Sequence, residues 1–322
     1  VKAIIQTRFG DPADVFRVEE IPVPGVGAGE VLVQVRATPM SGDAWHLTRG
    51  LPFVARPILG IRRPKNPVPG LDFAGTVVKI GPGVTTVGEG DEVFGWSDGA
   101  LAEFAAVPEG QLTSKPSNLS LEEAGLVPIA SFTAFQGIRD KGRVGPGQKV
   151  LITGASGGVG NYAIQLAKHY DAEVTAVASS AKFDLVRSLG ADHVIDYKTQ
   201  PLTSTGQQFD VMIDLYGNPT MAEIARVMKR GGTVVLIGGT GGRWFMGVDR
   251  WLRAFLVAPF RGFKARGLIH QDSHADLVAI KELIEEGQVL PVLDRVFTLD
   301  EVAKAVDYVT DGHARGQVAV VP

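Results

Sequence analysis

Residues 150–160 read VLITGASGGVG, a short apolar run that enters a glycine-dense turn and continues into NYAIQLAKHY. Val150 to Thr153 predicts a buried strand. Val159, Ala163, Leu166 and Tyr170 recur at helical spacing, and Glu173 to Ala178 predicts a second strand. Strand, glycine turn and helix in this order open a dinucleotide-binding βαβ unit. A pyrophosphate has to approach backbone amides closely, so Gly157 and Gly158 leave its path free of Cβ atoms, while Gly160 lets helix and strand pack. The positive end of the helix then faces the anion.

The end of the second strand bears on which dinucleotide is held. A fold selective for NAD places Asp or Glu there, to accept hydrogen bonds from the ribose 2'-hydroxyl. Here the strand runs into Ala178, Ser179, Ser180, Ala181 and Lys182. Two hydroxyls and an ammonium suit a 2'-phosphate, so the expected cofactor is NADPH rather than NADH. Ser179 and Ser180 also read as caps of the helix beginning near Lys182, and a helix start is itself an anion site.

The chain has 322 residues, 45% of them hydrophobic and 21% charged, which fits a globular protein of two domains. A net charge of -3 gives no footprint for nucleic acid, and Arg62 to Lys65 is too short for an electrostatic groove. No apolar run reaches the length of a membrane span; Trp251 to Phe260 comes closest, but Arg253 interrupts it and Pro259 ends it. It reads as a buried or pocket-lining segment, and no membrane partner is expected. No leader features mark the first residues, so cytoplasm is the expected compartment.

There is no cysteine. Thiolate zinc ligands and a cysteine nucleophile are therefore both excluded, which leaves His46, His169, His193, His270, His274 and His313 as soft ligands. His270 and His274 are spaced for one helical face, but the intervening QDS reads as a loop and helix start. No metal site is expected.

Residues 1–120 alternate strand signals with turns. The strands are Lys2 to Thr7, Glu30 to Thr38, Ala74 to Ile80, Glu92 to Gly95 and Leu101 to Val107. That pattern predicts a compact β-barrel-like domain. From about Leu121 helices alternate with strands near Val150 to Thr153, Glu173 to Ala178, His193 to Ile195, Val211 to Leu215 and Thr233 to Ile237, as a doubly wound parallel sheet requires. Helices at Ala275 to Glu286 and Leu299 to Val309 and a strand at Gln317 to Val321 end the chain. The expected partition is 1–120 with 272–322, around a central dinucleotide-binding domain at 121–271.

Several ordered motifs now carry a resemblance over essentially the whole chain. They are EVLVQVRAT at 30–38, VPGLDFAGTVVKIGPGV at 68–84, GDEVFG at 90–95, GPGQKVLITGASGGVGNYAIQLAK at 145–168, LGADHVIDY at 189–197, KRGGTVVLIGG at 229–239 and HARGQVAVV at 313–321. The chain resembles zinc-independent members of the medium-chain dehydrogenase/reductase superfamily, in the quinone oxidoreductase-like branch. The resemblance implies an α/β protein: a Rossmann doubly wound parallel sheet plus a GroES-like β-barrel catalytic domain built from both chain ends, with the active site between them. It implies that Ala155, Ser156, Gly157, Gly158, Val159 and Gly160 line the pyrophosphate, and that Ser179, Ser180 and Lys182 meet the adenosine phosphate with Tyr197 closing that pocket. Gly238 and Gly239 would pass beside the nicotinamide, with Thr133 on the same side. Arg315 reads as a solvated surface residue. The strand near Phe263 to Leu268 would pair with its twin and give a homodimer.

Departures from the zinc-dependent members shape the chemistry. Their ligand cysteine aligns with Ser41, their glycine-histidine-glutamate motif with Gly70, Leu71 and Asp72, and a third ligand position falls at or near Ile129. Without a Lewis acid an alkoxide loses its usual stabilisation. Hydride transfer to a quinone, enone or enal remains, given a nearby electrophilic carbon and a proton source. Ser41 stands where relatives carry asparagine and can orient water or polarise a carbonyl, although its hydroxyl is a poor acid. Asp72 is the other candidate and equally reads as a structural aspartate after a turn. Trp45 would shape the pocket, with His46 at the surface, and solvent can supply the proton. The resemblance thus implies an NADPH-dependent reductase of a small-molecule quinone or α,β-unsaturated carbonyl. A zinc-free alcohol dehydrogenase and a non-catalytic NADPH-binding protein are the alternatives. Substrate identity is expected to depend on Leu51 to Asn66 and Gly241 to Arg261.

Overall fold

The computed structural model describes residues 1–217, 219–239, 244 and 247–322, and gives the backbone alone for residues 43, 45 and 248. These residues form two compact units. One is Val1–Ile129, Asp272–Gly287 and Pro291–Pro322, and the other is Ala130–Gln271 and Gln288–Leu290. The first division therefore falls later than the change of sequence period at residue 120. Helix α4 (Leu121–Ala124), opened by a reciprocal Ser120/Glu123 cap, packs on strands of the first unit and belongs to it despite its helical pattern.

In the first unit, β1 (Lys2–Gln6) pairs with β2 (Phe16–Glu20), joined through α1 (Pro12–Val15). β3 (Glu30–Met40) is the spine of a larger sheet. It pairs antiparallel with β4 (Asp72–Ile80) along one stretch, with β6 (Phe104–Pro108) over its first half and with β15 (Gln317–Val321) over its last residues. β5 (Glu92–Trp96) and β7 (Leu112–Ser114) extend it beyond β4, and β14 (Leu293–Thr298) extends it beyond β15. Its core is β-branched and aromatic: Val31, Val33, Val35, Phe73, Val77 and Val93. Between β3 and β4 lie α2 (Gly42–Arg49) and α3 (Arg56–Leu59), and near the C-terminus α10 (His274–Glu285) and α11 (Val302–Thr310). The structure adds β2, β7, β14 and α2 to the elements expected. β14 was hidden because LDRVFT buries only Phe297.

The second unit holds a six-stranded parallel sheet in the order β10 (His193–Asp196), β9 (Glu173–Ala178), β8 (Lys149–Thr153), β11 (Phe209–Asp214), β12 (Met228–Leu236), β13 (Lys264–Gly267). This is the doubly wound order with its switch between β8 and β11. Helix α5 (Pro128–Gln136) runs from the division into a π-helical turn at Gly137–Gly142. α6 (Gly158–His169), α7 (Phe183–Ser188), α8 (Met221–Val227) and α9 (Val248–Arg261) serve the crossovers. Leu151, Phe209, Met212, Ile224, Val234 and Leu236 fill the core.

Trp251 to Phe260 departs from its expected burial. Within α9, small Ala254 and Ala258 face the core, so Leu252, Phe255, Leu256 and Phe260 turn outward and are exposed. Pro259 sits in the last helical turn without breaking it earlier. Part of the expected 241–261 substrate region, residues 241–243, 245 and 246, lies outside the described residues. Among those described, no helix is long and apolar enough to cross a membrane.

Candidate active site

The cofactor candidates of the second unit sit largely at one edge, the carboxyl ends of its parallel strands, where open α/β sheets bind ligands. β8 ends at Thr153 and the chain turns through Gly154 at φ +64° into α6. Two bonds fix the turn: Ala155 N–H donates to Val177 O at 3.2 Å, and Gly157 N–H to Gly154 O at 3.1 Å. Gly157 is the N-cap residue and supplies no side-chain cap, and the amides of Gly158, Val159 and Gly160 find no acceptor among the described residues. Orphan donors and a helix dipole leave this end prepared for an anion.

The glycines there have different reasons. A Cβ on Gly160 would stand 2.4 Å from Gly154 O and 2.6 Å from Ala155 C and O, so internal packing demands glycine. A Cβ on Gly157 would meet only Gly154 O at 3.4 Å, an ordinary contact. Across the switch point, a Cβ on Gly238 would lie 1.9 Å from Leu215 O, so the end of β12 passes the end of β11 only with glycine. Gly239 follows it in the same half-buried stretch.

β9 ends on the serine turn. Ser179 precedes a 3-10 turn at Ser180–Lys182, makes no side-chain cap and receives the Lys182 amide on its carbonyl at 2.9 Å. Beside it stands a carboxylate that inspection of β9 alone does not reveal. β10 lies parallel to β9 with Asp196 opposite Ala178. The Asp196 carboxylate accepts the Lys198 amide at 2.9 Å and both the hydroxyl and the amide of Ser180. Led by the Lys198 amide, these bonds outweigh burial and hold its pKa below the usual carboxylate range. Ser180 is thus engaged in fixing the turn. Ser179 and Lys182 remain half-buried on it, and Tyr197 is exposed just after β10.

A second cluster went unread in the sequence. Asp214, fully buried at the end of β11, accepts Thr153 Oγ1 at 2.7 Å and Gly217 N–H at 3.1 Å, and forms an ion pair with Arg250 at the start of α9. Thr153 Oγ1 accepts Leu215 N–H at 3.1 Å, and Arg250 donates to Pro219 O at 2.8 Å. A carboxylate with no solvent survives because ionic and neutral partners surround it. The cluster binds the ends of β8 and β11 to the following loop. The available signal was a charged residue closing the apolar strand VMID.

Thr133 is buried on α5, whose end is held by a reciprocal pair: Gln136 Nε2 donates to Gln271 O at 2.7 Å and Gln271 N–H to Gln136 Oε1 at 2.9 Å.

In the first unit, β3 ends where β4 begins, so Ser41 and Asp72 leave the sheet at the same end. Ser41 is exposed at the N-cap of α2 and its hydroxyl caps nothing. Trp45 lies on α2, and its side chain is outside the description. Asp72 is buried, and both carboxylate oxygens accept the Ile129 amide at 3.3 Å, at the positive start of α5. The structure therefore sets one position aligned with a zinc ligand, Ile129, against the motif's acidic residue, Asp72, as a backbone amide on a carboxylate. Leu71 and Ile129 are hydrocarbon, Ser41 replaces a thiolate, and this donor set does not fit zinc. His274 starts α10 while His270 precedes it in coil, so the two share no helical face. Among the described residues no group of three or more metal-ligating side chains forms.

Residues 27–117 match the family described as alcohol dehydrogenase GroES-like domain, and residues 189–320 the family described as zinc-binding dehydrogenase. An NADPH-dependent alkenal/one oxidoreductase of Arabidopsis thaliana is 34% identical over 100% of this chain and 80% of its own length. A quinone oxidoreductase of Triphysaria versicolor is 32% identical over 100% of this chain and 98% of its own. The structure of a quinone oxidoreductase from Coxiella burnetii superposes with a TM-score of 0.88 at 27% identity, covering 100% of this chain and 99% of that one.

Proposed function

Since the chain belongs to the medium-chain dehydrogenase/reductase superfamily, in its quinone oxidoreductase-like branch, and is an NAD(P)H-dependent oxidoreductase, we propose that it uses NADPH to reduce a quinone or an α,β-unsaturated carbonyl without zinc. The observation that carries this reading is the Asp72–Ile129 contact. The ligand positions hold a hydroxyl and two hydrocarbons, and the one neighbouring carboxylate is bonded to the Ile129 amide, so this reading takes an acceptor carbon that is electrophilic without metal. The names of the Arabidopsis and Triphysaria relatives support the same substrate classes.

When bound, the nicotinamide would supply the hydride, from C4. The amides of Gly158, Val159 and Gly160 would hold the pyrophosphate, with Ala155 and Ser156 shaping the turn. Ser179 and Lys182 would meet the 2'-phosphate on a turn that Asp196 fixes through Ser180, with Tyr197 over it. Gly238 and Gly239 would admit the nicotinamide, and Thr133 would flank it. Because Asp72 is committed to α5, Ser41 orients a water in this reading, Trp45 shapes the pocket, and the proton comes from solvent. The outward edge of β13, unpaired among the described residues, and the exposed face of α9 support a homodimer, with a solution mass of twice 34.2 kDa. The compartment in this proposal is the cytoplasm, and a chain with no cysteine is neutral on it.

The test is oxidation of NADPH against quinones, enones, enals and simple aldehydes, with NADH in parallel and products identified by mass. Turnover of one electrophile class with NADPH preference is expected, and Lys182→Ala should weaken NADPH at least tenfold more than NADH. Equal losses for the two cofactors would refute the phosphate pocket. Tight NADPH binding without turnover would establish the non-catalytic alternative, and alcohol-dependent NADP reduction the dehydrogenase one.

A further inference from the structure

Residues 44–71 contain Arg49, Arg56, Arg62, Arg63 and Lys65 and no Asp or Glu, in a chain of net charge -3. Two of these cations work inward. Arg49 pairs with Asp11, while Arg56 donates to Gly50 O at 3.1 Å and lies over the rings of Phe9 and Phe53 at 4.9 and 4.7 Å. The loop they anchor closes tightly: Lys65 N–H donates to Leu59 O at 3.0 Å, and Gly60, at φ +124°, has Arg63 O where a Cβ would go. On this fixed turn Arg62, Arg63 and Lys65 are exposed, with no ion-pair partner among the described residues. Beside them Val54, Ile58 and Ile61 are 52%, 74% and 72% exposed.

The outward side chains of this locked loop, three aliphatic and three cationic, add nothing to the packing of their unit and make no ion pair among the described residues. We infer that this loop docks on a membrane surface carrying anionic phospholipid, with Ile58 and Ile61 entering the acyl boundary and Arg62, Arg63 and Lys65 meeting phosphate groups. The pairing of charge with hydrocarbon selects this occupant. Nucleic acid would leave the isoleucines unused, and a second copy of the loop would oppose three like charges. The expectation of no membrane partner rests on spanning length, which does not test a surface contact. This loop lies within the 51–66 segment expected to bear on substrate identity, but lipid binding is measured without turnover, so the failure of either reading leaves the other standing.

The experiment is co-sedimentation of the full chain with vesicles of phosphatidylcholine alone or with one third phosphatidylserine. Partition is expected only with the anionic vesicles at 0.1 M NaCl, and release at 1 M, where screening shortens the reach of each charge. Arg62→Ser/Arg63→Ser/Lys65→Ser should lower the partition coefficient on the order of a hundredfold, about fivefold per cation. Ile58→Asn/Ile61→Asn should also lose binding while melting like the parent chain. Failure of the parent chain to sediment with anionic vesicles, equal sedimentation with neutral ones, or unchanged binding by the triple variant would each overturn the inference. So would a lipid-free oligomer that Ile58→Asn/Ile61→Asn dissociates, which would make the loop a contact between copies. The salt titration of the parent chain decides the electrostatic part even if a variant fails to fold.

Discussion

Replacing Gly157 and Gly160 by alanine, one at a time, separates a glycine needed by the fold from one needed by the ligand. In Gly160→Ala the new methyl starts 2.4 Å from Gly154 O, against backbone atoms that must retreat to at least 3.0 Å. Overpacking of that kind costs about 1–3 kcal/mol, and a clash with three backbone atoms belongs at the upper end. Alanine in place of glycine returns about 1 kcal/mol of helix propensity, leaving a net loss of about 2 kcal/mol. At about 2–4 °C per kcal/mol, the melting temperature should fall by about 4–8 °C. Gly157 has φ -83° and only one contact, at 3.4 Å, so alanine fits the empty protein, and its gain of about 0.4–1 kcal/mol from the unfolded chain is offset by alanine's poorer N-cap, leaving stability within about 1 kcal/mol of the parent. Its methyl would instead stand where the pyrophosphate meets the amides. Losing one charge-assisted hydrogen bond, about 1.5–3 kcal/mol, weakens the cofactor about ten- to a hundredfold. Thermal melts with and without NADPH, together with fluorescence titration, give both quantities. A Gly157→Ala protein that binds NADPH like the parent would refute the assignment of the pyrophosphate to this turn, and an unshifted melt for Gly160→Ala would refute the packing argument.

Asp214→Asn keeps acceptors for Thr153 and Gly217 but strands the Arg250 charge, so equilibrium unfolding in urea should show a loss of about 3–5 kcal/mol, and an unchanged midpoint would remove the ion pair from the account. Asp196 has a folded pKa below its unfolded value. The stability it adds is therefore present above the usual carboxylate pKa and lost as pH falls through the folded one. The gap in melting temperature between parent and Asp196→Asn should then be open at pH 7 and close below about pH 4, and a gap constant with pH would show that the carboxylate charge does not matter. For Asp72, Ala substitution should cost about 0.5–2 kcal/mol as a lost cap, whereas Asn should retain most of both stability and turnover. Abolished turnover in a well-folded Asp72→Asn protein would restore Asp72 as the proton donor.

Much of this molecule was legible because the relevant physics is local. The run Val150 to Gly160 specifies strand, turn and helix within one stretch of backbone, and the contacts that force glycine at position 160 come from residues 154 and 155. The alternation of strands and helices likewise gave the doubly wound class, and Glu173 to Ala178 and Gln317 to Val321 fall where their patterns place them. Weak patterns failed where burial was partial, as in β14, or where small residues took the inner face, as in α9. The roles of the carboxylates could not be read at all. Asp72 meets an amide 57 residues away and Asp214 a hydroxyl 61 residues away, while Asp196 reaches Ser180 only because β10 lies in register beside β9. The sequence alone determined the fold class and the anion-ready turn, since backbone conformation and periodicity are set by neighbours along the chain. Only the tertiary structure decided which charged groups are committed to one another, because strand order and register choose the partner of a buried charge.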